Sequence, residues 1–454
     1  MTTPAKKKAH TLRTLVGTGS GNALEWYDWQ IYVVFAPFFA SQFFDPNDPA
    51  AAMLSSMAIF AAGFLMRPLG GLVFGWLADR AGRRTAMTSS IACAAIGSLV
   101  IACAPTYGSI GVGASLIVLL ARLAQGLAHG GELPAAQTYI TEMAPNGRRG
   151  RWSSLIYVSG TSGVLVGTLL SAILSSTLPM EQLHAWGWRI PFVIGGVLSL
   201  YSLYLRRQLS ETENFEQDAN AQRESAREAK APKRRIRESF RGMWANRGAC
   251  LRVIGLTVGV TVVYYTWTVS APSFAITSRG VAPDSAMWAG VVADLVFIGM
   301  LPLYGMLADR IGRRPLIIFA AIGLCVVTIP LNHIIQGQAW QLCLAMVLAM
   351  VFIAPITAIS PTLFAEMFPT RVRAAAVGLP YSIAVALCGG TAPYLRQWLA
   401  GNGGEDLFLG YTIVLMLIGL VVAWRMPETK DVDLNQLSGK DSSSGSESRS
   451  AAHA

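Results

Sequence analysis

The chain has 454 residues, of which 53% are hydrophobic and 14% are charged, and its formal net charge is +10. A soluble domain of this length cannot bury so much apolar surface in one core, so lipid must cover part of it. A nucleic-acid partner would also suit the positive charge, but the basic residues lie almost entirely in alternate breaks between apolar segments. That pattern indicates membrane topology, and we expect no nucleic-acid partner.

Apolar segments of about 20 residues, the length that a helix needs to cross a bilayer, recur along the whole chain. Short charged or Gly/Pro-rich breaks separate them. Twelve segments are predicted, with the approximate bounds 13–40, 53–77, 86–104, 112–141, 152–176, 189–205, 249–277, 287–307, 316–335, 339–365, 374–398 and 406–425. The sequence therefore predicts an all-α membrane protein with twelve transmembrane helices.

The positive-inside rule places the Lys- and Arg-rich breaks in the cytoplasm, together with both termini. The predicted units are an N-terminal six-helix bundle at 1–205, a cytoplasmic linker loop at 206–247, a C-terminal six-helix bundle at 248–426 and a Ser-rich tail at 427–454. The composition of the tail is typical of disorder. Because no small-residue cleavage site ends the first apolar segment, we expect that segment to be retained.

Several absences narrow the function. The six cysteines lie in or beside apolar segments without CxxC spacing or nearby histidines, so no metal site is expected. No phosphate-binding loop of the Gly-x-x-x-x-Gly-Lys-Ser/Thr kind occurs, and the soluble segments are too short for an enzyme domain. We expect a protein that is not an enzyme, needs no cofactor and is driven by an ion gradient.

One ten-residue motif occurs twice, each time after the second apolar segment of a group of six. Its charged and glycine positions are Gly75, Asp79, Arg80, Gly82, Arg83 and Arg84 in the first copy and Gly305, Asp309, Arg310, Gly312, Arg313 and Arg314 in the second. The duplication predicts two parallel six-helix repeats, as in secondary transporters.

Each part of the motif has a physical use at the cytoplasmic end of a helix. The first glycine allows close helix packing. The aspartate can accept hydrogen bonds from a facing helix N-terminus or pair with an arginine, forming a latch that breaks when the halves move. The arginines can bind lipid phosphates, or they serve only as topology anchors. Two further acid and arginine sets, Glu142 with Arg148 and Glu366 with Arg371, are predicted to act as paired gate residues.

Charged residues at membrane depth are costly, so each is a candidate for function. In chain order they are Glu25, Asp28, Arg67, Arg122, His129, Glu132 and Asp294. Glu25 and Asp28 share one face of the first helix, and His129 and Glu132 share one face of the fourth. His129 either carries protons or simply forms a hydrogen bond between helices.

An anionic substrate needs positive groups in a dry cavity. Arg67 and Arg122 can each hold a carboxylate with two hydrogen bonds, although Arg67 has an equal claim to a conformational role. Tyr264, Tyr265, Trp267 and Tyr381 are predicted to line the other wall of the site, with ordinary packing as the alternative interpretation.

The duplicated motif resembles that of the major facilitator superfamily, and the resemblance covers about residues 15 to 426. Narrower stretches resemble the metabolite:proton symporter family, with 2-oxoglutarate (α-ketoglutarate) permeases as the most similar members. These stretches are Gly21-Asn-Ala-Leu-Glu25-Trp-Tyr-Asp28, Arg67-Pro68, Arg122-Leu-Ala-Gln125-Gly126, Gly130-Gly-Glu132 and Val377-Gly-Leu-Pro-Tyr381. The run Leu133-Pro134 departs from the family pattern.

The resemblance implies a monomeric, multi-pass carrier of the bacterial inner membrane that works by alternating access among membrane lipids. By similarity to sugar porters, Asp28 would bind the co-transported proton and pair with Arg122, with Glu25, His129 and Glu132 as further proton-coupling groups. A dicarboxylate such as α-ketoglutarate is the first substrate hypothesis. The alternatives are a zwitterionic osmolyte such as proline or betaine, and a sensor that binds solute without moving it.

Overall fold

The computed structural model describes residues 4–81, 83–130, 137, 140–141, 143–145, 147–208, 242–369, 373–430 and 432. Helices make up nearly all of the first half that is described. They are α1 (Pro4–Phe43), α2 (Pro49–Leu65), α3 (Arg67–Ala81), α4 (Arg83–Cys103), α5 (Tyr107–Ile110), α6 (Val112–Ala128), α7 (Arg149–Thr177), α8 (Met180–Gln182) and α9 (Arg189–Gln208), with a π-helical turn at Leu183–Gly187.

The second half has the same character. Its helices are α10 (Arg247–Tyr264), α11 (Ala271–Arg279), α12 (Pro283–Ile311), α13 (Arg314–Ile334), α14 (Ala339–Glu366), α15 (Arg373–Ala384), α16 (Ala392–Gly401) and α17 (Glu405–Arg425). Two further π-helical turns lie at Tyr265–Val269 and Val385–Gly389.

Nine helical stretches in the described parts of the chain are long and apolar enough to cross a membrane. Two more apolar helices, at Val112–Ala128 and Arg189–Tyr204, are shorter. Helix α1 contains the predicted first segment. The predicted all-helical membrane architecture is confirmed, while the count of twelve spans and the cytoplasmic placement of the termini stay predictions.

Within the described residues, proline explains where three of the predicted spans are interrupted. The predicted segment 53–77 divides at Met66, because Pro68 has no backbone N–H and is best accommodated in the first turn of a new helix. Pro272 and Pro393 begin new helices in the same way, each after a π-helical turn. Such turns are frequent at functional sites, and both border the contact between the halves.

The largest helix contacts between the two halves, among the described residues, join the following pairs. α12 packs along α7, α14 also contacts α7, α2 contacts α16, and α1 contacts α11. The α7–α12 contact is close at Gly150 and Gly305, where a Cβ atom on either residue would lie 2.6 Å from the carbonyl oxygen of the other. The close approach predicted for Gly305 is present in the structure.

Within the first half, α1 and α7 are in backbone contact at Gly163. A Cβ atom added there would overlap the carbonyl oxygen of Ala23 and force the helices apart. We expect Gly163→Ala to destabilise the protein by about 1–3 kcal/mol through overpacking. The matched control is Gly299→Ala in α12, where nothing lies within 4 Å and alanine favours the helix.

Thermal unfolding in detergent measures both variants. The midpoint should fall for Gly163→Ala and stay equal or rise for Gly299→Ala. Equal midpoints would contradict the close α1–α7 packing.

Candidate functional site

Glu25 connects three helices inside the first half. Its carboxylate lies 3.4 Å from Nη2 of Arg67 and 4.0 Å from Nδ1 of His129. The break before α3 places Arg67 in the first turn of that helix, and His129 caps the end of α6. The Arg67 guanidinium also lies over the rings of Trp29 and Phe64, at 4.4 and 4.2 Å from their centroids. The predicted charges Glu25, Arg67 and His129 therefore form one buried cluster.

Asp28, one helical turn further along α1, is bound by an uncharged side chain. Ser98 donates to its Oδ1 at 3.1 Å, Gln125 donates to the Ser98 hydroxyl at 2.7 Å, and Arg122 donates to the Gln125 amide oxygen at 2.8 Å. Nη1 of Arg122 also lies 3.4 Å from the backbone carbonyl of Asp28. The predicted Asp28–Arg122 pair is thus close in space, but a hydroxyl and an amide link the two charges in place of a direct ion pair.

Arg122 is completely buried and keeps unused hydrogen-bond donors. Its guanidinium lies 4.1 Å from the ring centroid of Tyr32 and 4.5 Å from that of Trp29. Nε and Nη2 have no hydrogen-bond partner among the residues that the structure describes. Because buried donors are normally paired, these two atoms leave room for an acceptor.

A small cavity lies beside both acids. Its volume of about 30 Å³ suffices for a water molecule. Glu25, Asp28 and His129 line it together with Ser90, Ser199 and Ser202, so it lies between α1, α4, α6 and α9. A water molecule in this cavity can therefore reach Asp28 from inside the first half, on the side away from the contact between the halves.

A second cavity, of about 20 Å³, lies between the halves. Its aromatic lining comprises Trp26, Tyr157, Tyr264, Tyr265, Phe364 and Tyr381. Of the predicted aromatic residues, Tyr264, Tyr265 and Tyr381 line this cavity and Trp267 does not. Trp26 and Tyr157 were not predicted. Trp26 stands between Glu25 and Asp28 in the sequence, which is the signal that points to it. Its ring meets Tyr264 edge-on at 5.4 Å and stacks on Tyr265 at 6.2 Å.

The duplicated motif makes a contact between the halves through its second copy. Asp309 accepts hydrogen bonds from the backbone N–H groups of Gly150 at 2.8 Å and Arg151 at 3.0 Å. Both lie in the first turn of α7, where the partial positive charge of the helix favours a carboxylate. Arg313 lies 3.5 Å from the same Asp309. We call this end of the bundle the motif end.

Glu366 extends that contact. Its Oε1 lies 3.3 Å from Arg313 and 3.7 Å from Arg149, which belongs to the first half. The arginine predicted to pair with Glu366, Arg371, lies outside the described residues. Arg149 was not predicted as a gate residue, although it belongs to the basic run 148–151 that begins α7.

The segment after α17 also binds the motif end. Gly312 ends α12 with a φ of 102°, a conformation that suits glycine, and the turn exposes the N–H groups of Arg313 and Arg314. Glu428 accepts from both at 2.9 Å. Burial raises the pKa of Glu428, but backbone N–H donors outweigh that effect and hold the pKa below its ordinary value.

The other predicted gate residues are distributed as follows. Arg80 lies over the ring of Trp76 at 5.5 Å, and Arg148 caps the start of α7. The carbonyl oxygen of Arg310 accepts a hydrogen bond from Lys430. The Arg314 side chain donates to the carbonyl oxygen of Trp424. The remaining ones lie outside the described residues or have side chains that are not described: Gly75, Asp79, Gly82, Arg83, Arg84 and Glu142. The same holds for Glu132.

Comparison with known proteins is consistent with this arrangement. The chain is 37% identical over 414 residues to an alpha-ketoglutarate permease of Escherichia coli K12, covering 90% of this chain and 92% of that protein. It is 32% identical to a proline/betaine transporter of Salmonella typhimurium, covering 92% of this chain and 83% of the relative. These relatives are transporters, and the chain is accordingly not an enzyme.

Solved structures share the fold. The proton:xylose symporter XylE superposes with a TM-score of 0.73 at 19% identity, covering 94% of this chain and 98% of that one. A partially occluded inward-open form of XylE from E. coli gives a TM-score of 0.72 at 20% identity, covering 92% of this chain and 98% of that one. A family model for sugar (and other) transporters matches residues 14–439. The chain therefore belongs to the sugar (and other) transporter family and is a multi-pass membrane transporter of the major facilitator superfamily.

Proposed function

We propose that this chain is a proton-coupled carrier that imports a small organic acid across the bacterial inner membrane by alternating access. The best candidate is a dicarboxylate such as α-ketoglutarate. The observation that carries the proposal is Arg122, a fully buried cation with unpartnered Nε and Nη2 atoms among the described residues. The similarity to an alpha-ketoglutarate permease supports it independently.

The geometry of Arg122 suits a carboxylate. Nε and Nη2 lie on one edge of the guanidinium, where two parallel hydrogen bonds to a carboxylate are formed. Each buried donor left unpaired costs about 1–3 kcal/mol, which a bound carboxylate would recover. Arg67 also keeps an unpartnered Nε within the part of the chain that is described, and it is the candidate for a second carboxylate.

Proton coupling follows from the link between Asp28 and Arg122. While Asp28 is ionised, its charge partly neutralises Arg122 through Ser98 and Gln125. When Asp28 takes up a proton, Arg122 is left without that counter-charge in a dry site, and an anionic substrate binds more strongly. Proton and substrate therefore favour each other's binding, which is the requirement for symport. Glu25, His129 and Glu132 are the further candidates for proton transfer.

The transport cycle would break and re-form the contacts at the motif end. In the present arrangement Asp309 holds the N-terminus of α7, and Glu366 binds arginines from both halves. A rocking motion that opens the cavity between the halves to the cytoplasm must separate these groups. We infer that the Asp309 contact is a latch on the state closed at the cytoplasmic side.

A second candidate is carriage of an osmolyte with a quaternary ammonium group. The central cavity is bordered by Trp26, Tyr264, Tyr265 and Tyr381, and the faces of such rings attract organic cations. The similarity to proline/betaine transporters favours the same substrates. A sensor that binds solute without moving it is the remaining alternative, and uphill accumulation excludes it.

The first test is uptake of labelled α-ketoglutarate by proteoliposomes with an imposed inward proton gradient. We expect accumulation that an uncoupler abolishes and that excess glycine betaine leaves unchanged. Accumulation of labelled betaine in place of α-ketoglutarate would instead establish the osmolyte carrier.

Arg122→Lys sharpens this test, because lysine keeps the charge and loses the planar pair of donors. The apparent affinity for α-ketoglutarate should fall roughly tenfold or more, equivalent to about 1.4 kcal/mol. An unchanged affinity would remove Arg122 from the substrate site.

Asp28→Asn tests proton coupling. The amide cannot ionise, so the variant should exchange internal for external substrate but lose accumulation driven by the proton gradient. Asp406→Asn is the matched control, because the Asp406 side chain is 87% exposed at the start of α17. Gradient-driven accumulation by Asp28→Asn equal to that of the control would refute the assignment.

Asp309→Asn tests the latch. Loss of the charged cap on α7 should cost about 1 kcal/mol and shift the population roughly fivefold toward the state open at the motif end. The measurement is the rate at which a membrane-impermeant thiol reagent labels Ser360→Cys, in the central cavity, in inside-out vesicles of a variant free of native cysteines. Asp284→Asn, in the first turn of the same α12, is the control that should label at the parent rate.

A further inference from the structure

We propose that Asp294 is a second proton-binding site, placed where α12 of the second half packs against α7 of the first. This inference rests on the proposed function for its role in transport, since it concerns how many protons accompany each substrate. The site is separate from the Asp28 cluster, because Asp294 belongs to the other half and lines neither of the two cavities described above.

Almost no solvent reaches the Asp294 side chain. Its side chain is 1% exposed. One turn earlier on α12, a Cβ atom on Gly290 would lie 3.0 Å from Cγ2 of Thr168 on α7 and 3.1 Å from Cγ of Pro272 on α11. The three helices are therefore in close contact beside the carboxyl group, and water reaches it only when α12 moves away from α7.

The neighbouring hydrogen bonds suit the protonated form. Oδ1 of Asp294 has no hydrogen-bond partner among the described residues. Thr168 on α7, whose hydroxyl interacts with Asp294, donates its single hydrogen to the Val164 carbonyl at 3.0 Å and accepts from Gln30 at 3.1 Å. A threonine hydroxyl has two lone pairs, so Thr168 can accept one more hydrogen bond but has no hydrogen left to give.

The charges around Asp294 agree with this assignment. The groups that face it are Thr168 from α7 and, through that hydroxyl, Gln30 from α1, both uncharged. Tyr264 from α10 is the ionisable neighbour with which it interacts. No ion pair involving Asp294 occurs in the described part of the chain, and a buried carboxylate without a cation or donors is strongly disfavoured. In the closed arrangement the group is a neutral acid.

The consequence is a proton bound by the closed interface. When α7 and α12 separate, water solvates the carboxyl group and it releases its proton; when they close, it must take one up again. Together with the proton on Asp28, this second proton balances the two negative charges of a dicarboxylate. The membrane potential, negative inside, would then not oppose entry of the substrate.

Infrared spectroscopy of the purified protein tests the site without any substrate. We expect a carbonyl band of a protonated carboxyl group that persists from mildly acidic to mildly alkaline pH, disappears in Asp294→Asn and remains in Asp406→Asn. Thr168→Val should shift that band to higher frequency, because it removes the hydrogen-bond acceptor. A spectrum of Asp294→Asn identical to that of the parent protein would overturn the proposal.

The transport role is tested by the ratio of protons to α-ketoglutarate. The ratio is obtained in proteoliposomes, with the membrane potential clamped at zero, from the substrate gradient at which an imposed pH gradient gives no net flux. The ratio should fall by half in Asp294→Asn and stay unchanged in Asp406→Asn. An unchanged ratio, or a flux that depends on sodium in place of protons, would overturn this role. If the parent protein carries no α-ketoglutarate, the proposed function fails, whereas the infrared band still decides whether Asp294 binds a proton.

Discussion

A charge in the middle of this helix bundle has no bulk water around it, and the arrangement of the first half follows from that constraint. Glu25 is near Arg67 and His129, while Asp28 and Arg122 share Ser98 and Gln125 between them. α1, α3, α4 and α6 are therefore tied together by polar contacts as well as by apolar packing. A change in the charge of one of these groups therefore alters the electrostatic environment of all the others.

The two cavities lie in different parts of the molecule. One opens beside Asp28 and Glu25 within the first half, and the other lies between the halves among aromatic rings. The ring of Trp29 lies against the guanidinium groups of both Arg67 and Arg122. In the proposed cycle, the proton and the substrate influence each other through these stacked cations and rings.

The sequence predicted the parts of this site that depend on local pattern. Charges at membrane depth identified Glu25, Asp28, Arg67 and Arg122, and the motif identified Asp309 as an acceptor for a helix N-terminus. Partners chosen by packing between distant helices were beyond reach. Ser98 and Gln125 are common polar residues whose role appears only when α4 and α6 lie side by side. Arg149 lies beside Glu366 because α7 begins next to α14.

The short segment after α17 touches both halves at once. Glu428 binds the start of α13, Thr429 donates to Glu366, and the carbonyl of Val432 accepts from Arg149 of the first half. Part of the free energy that keeps the halves together at this end therefore comes from residues outside any membrane span. A truncation placed directly after Arg425 would remove these contacts and change the resting conformation of the carrier.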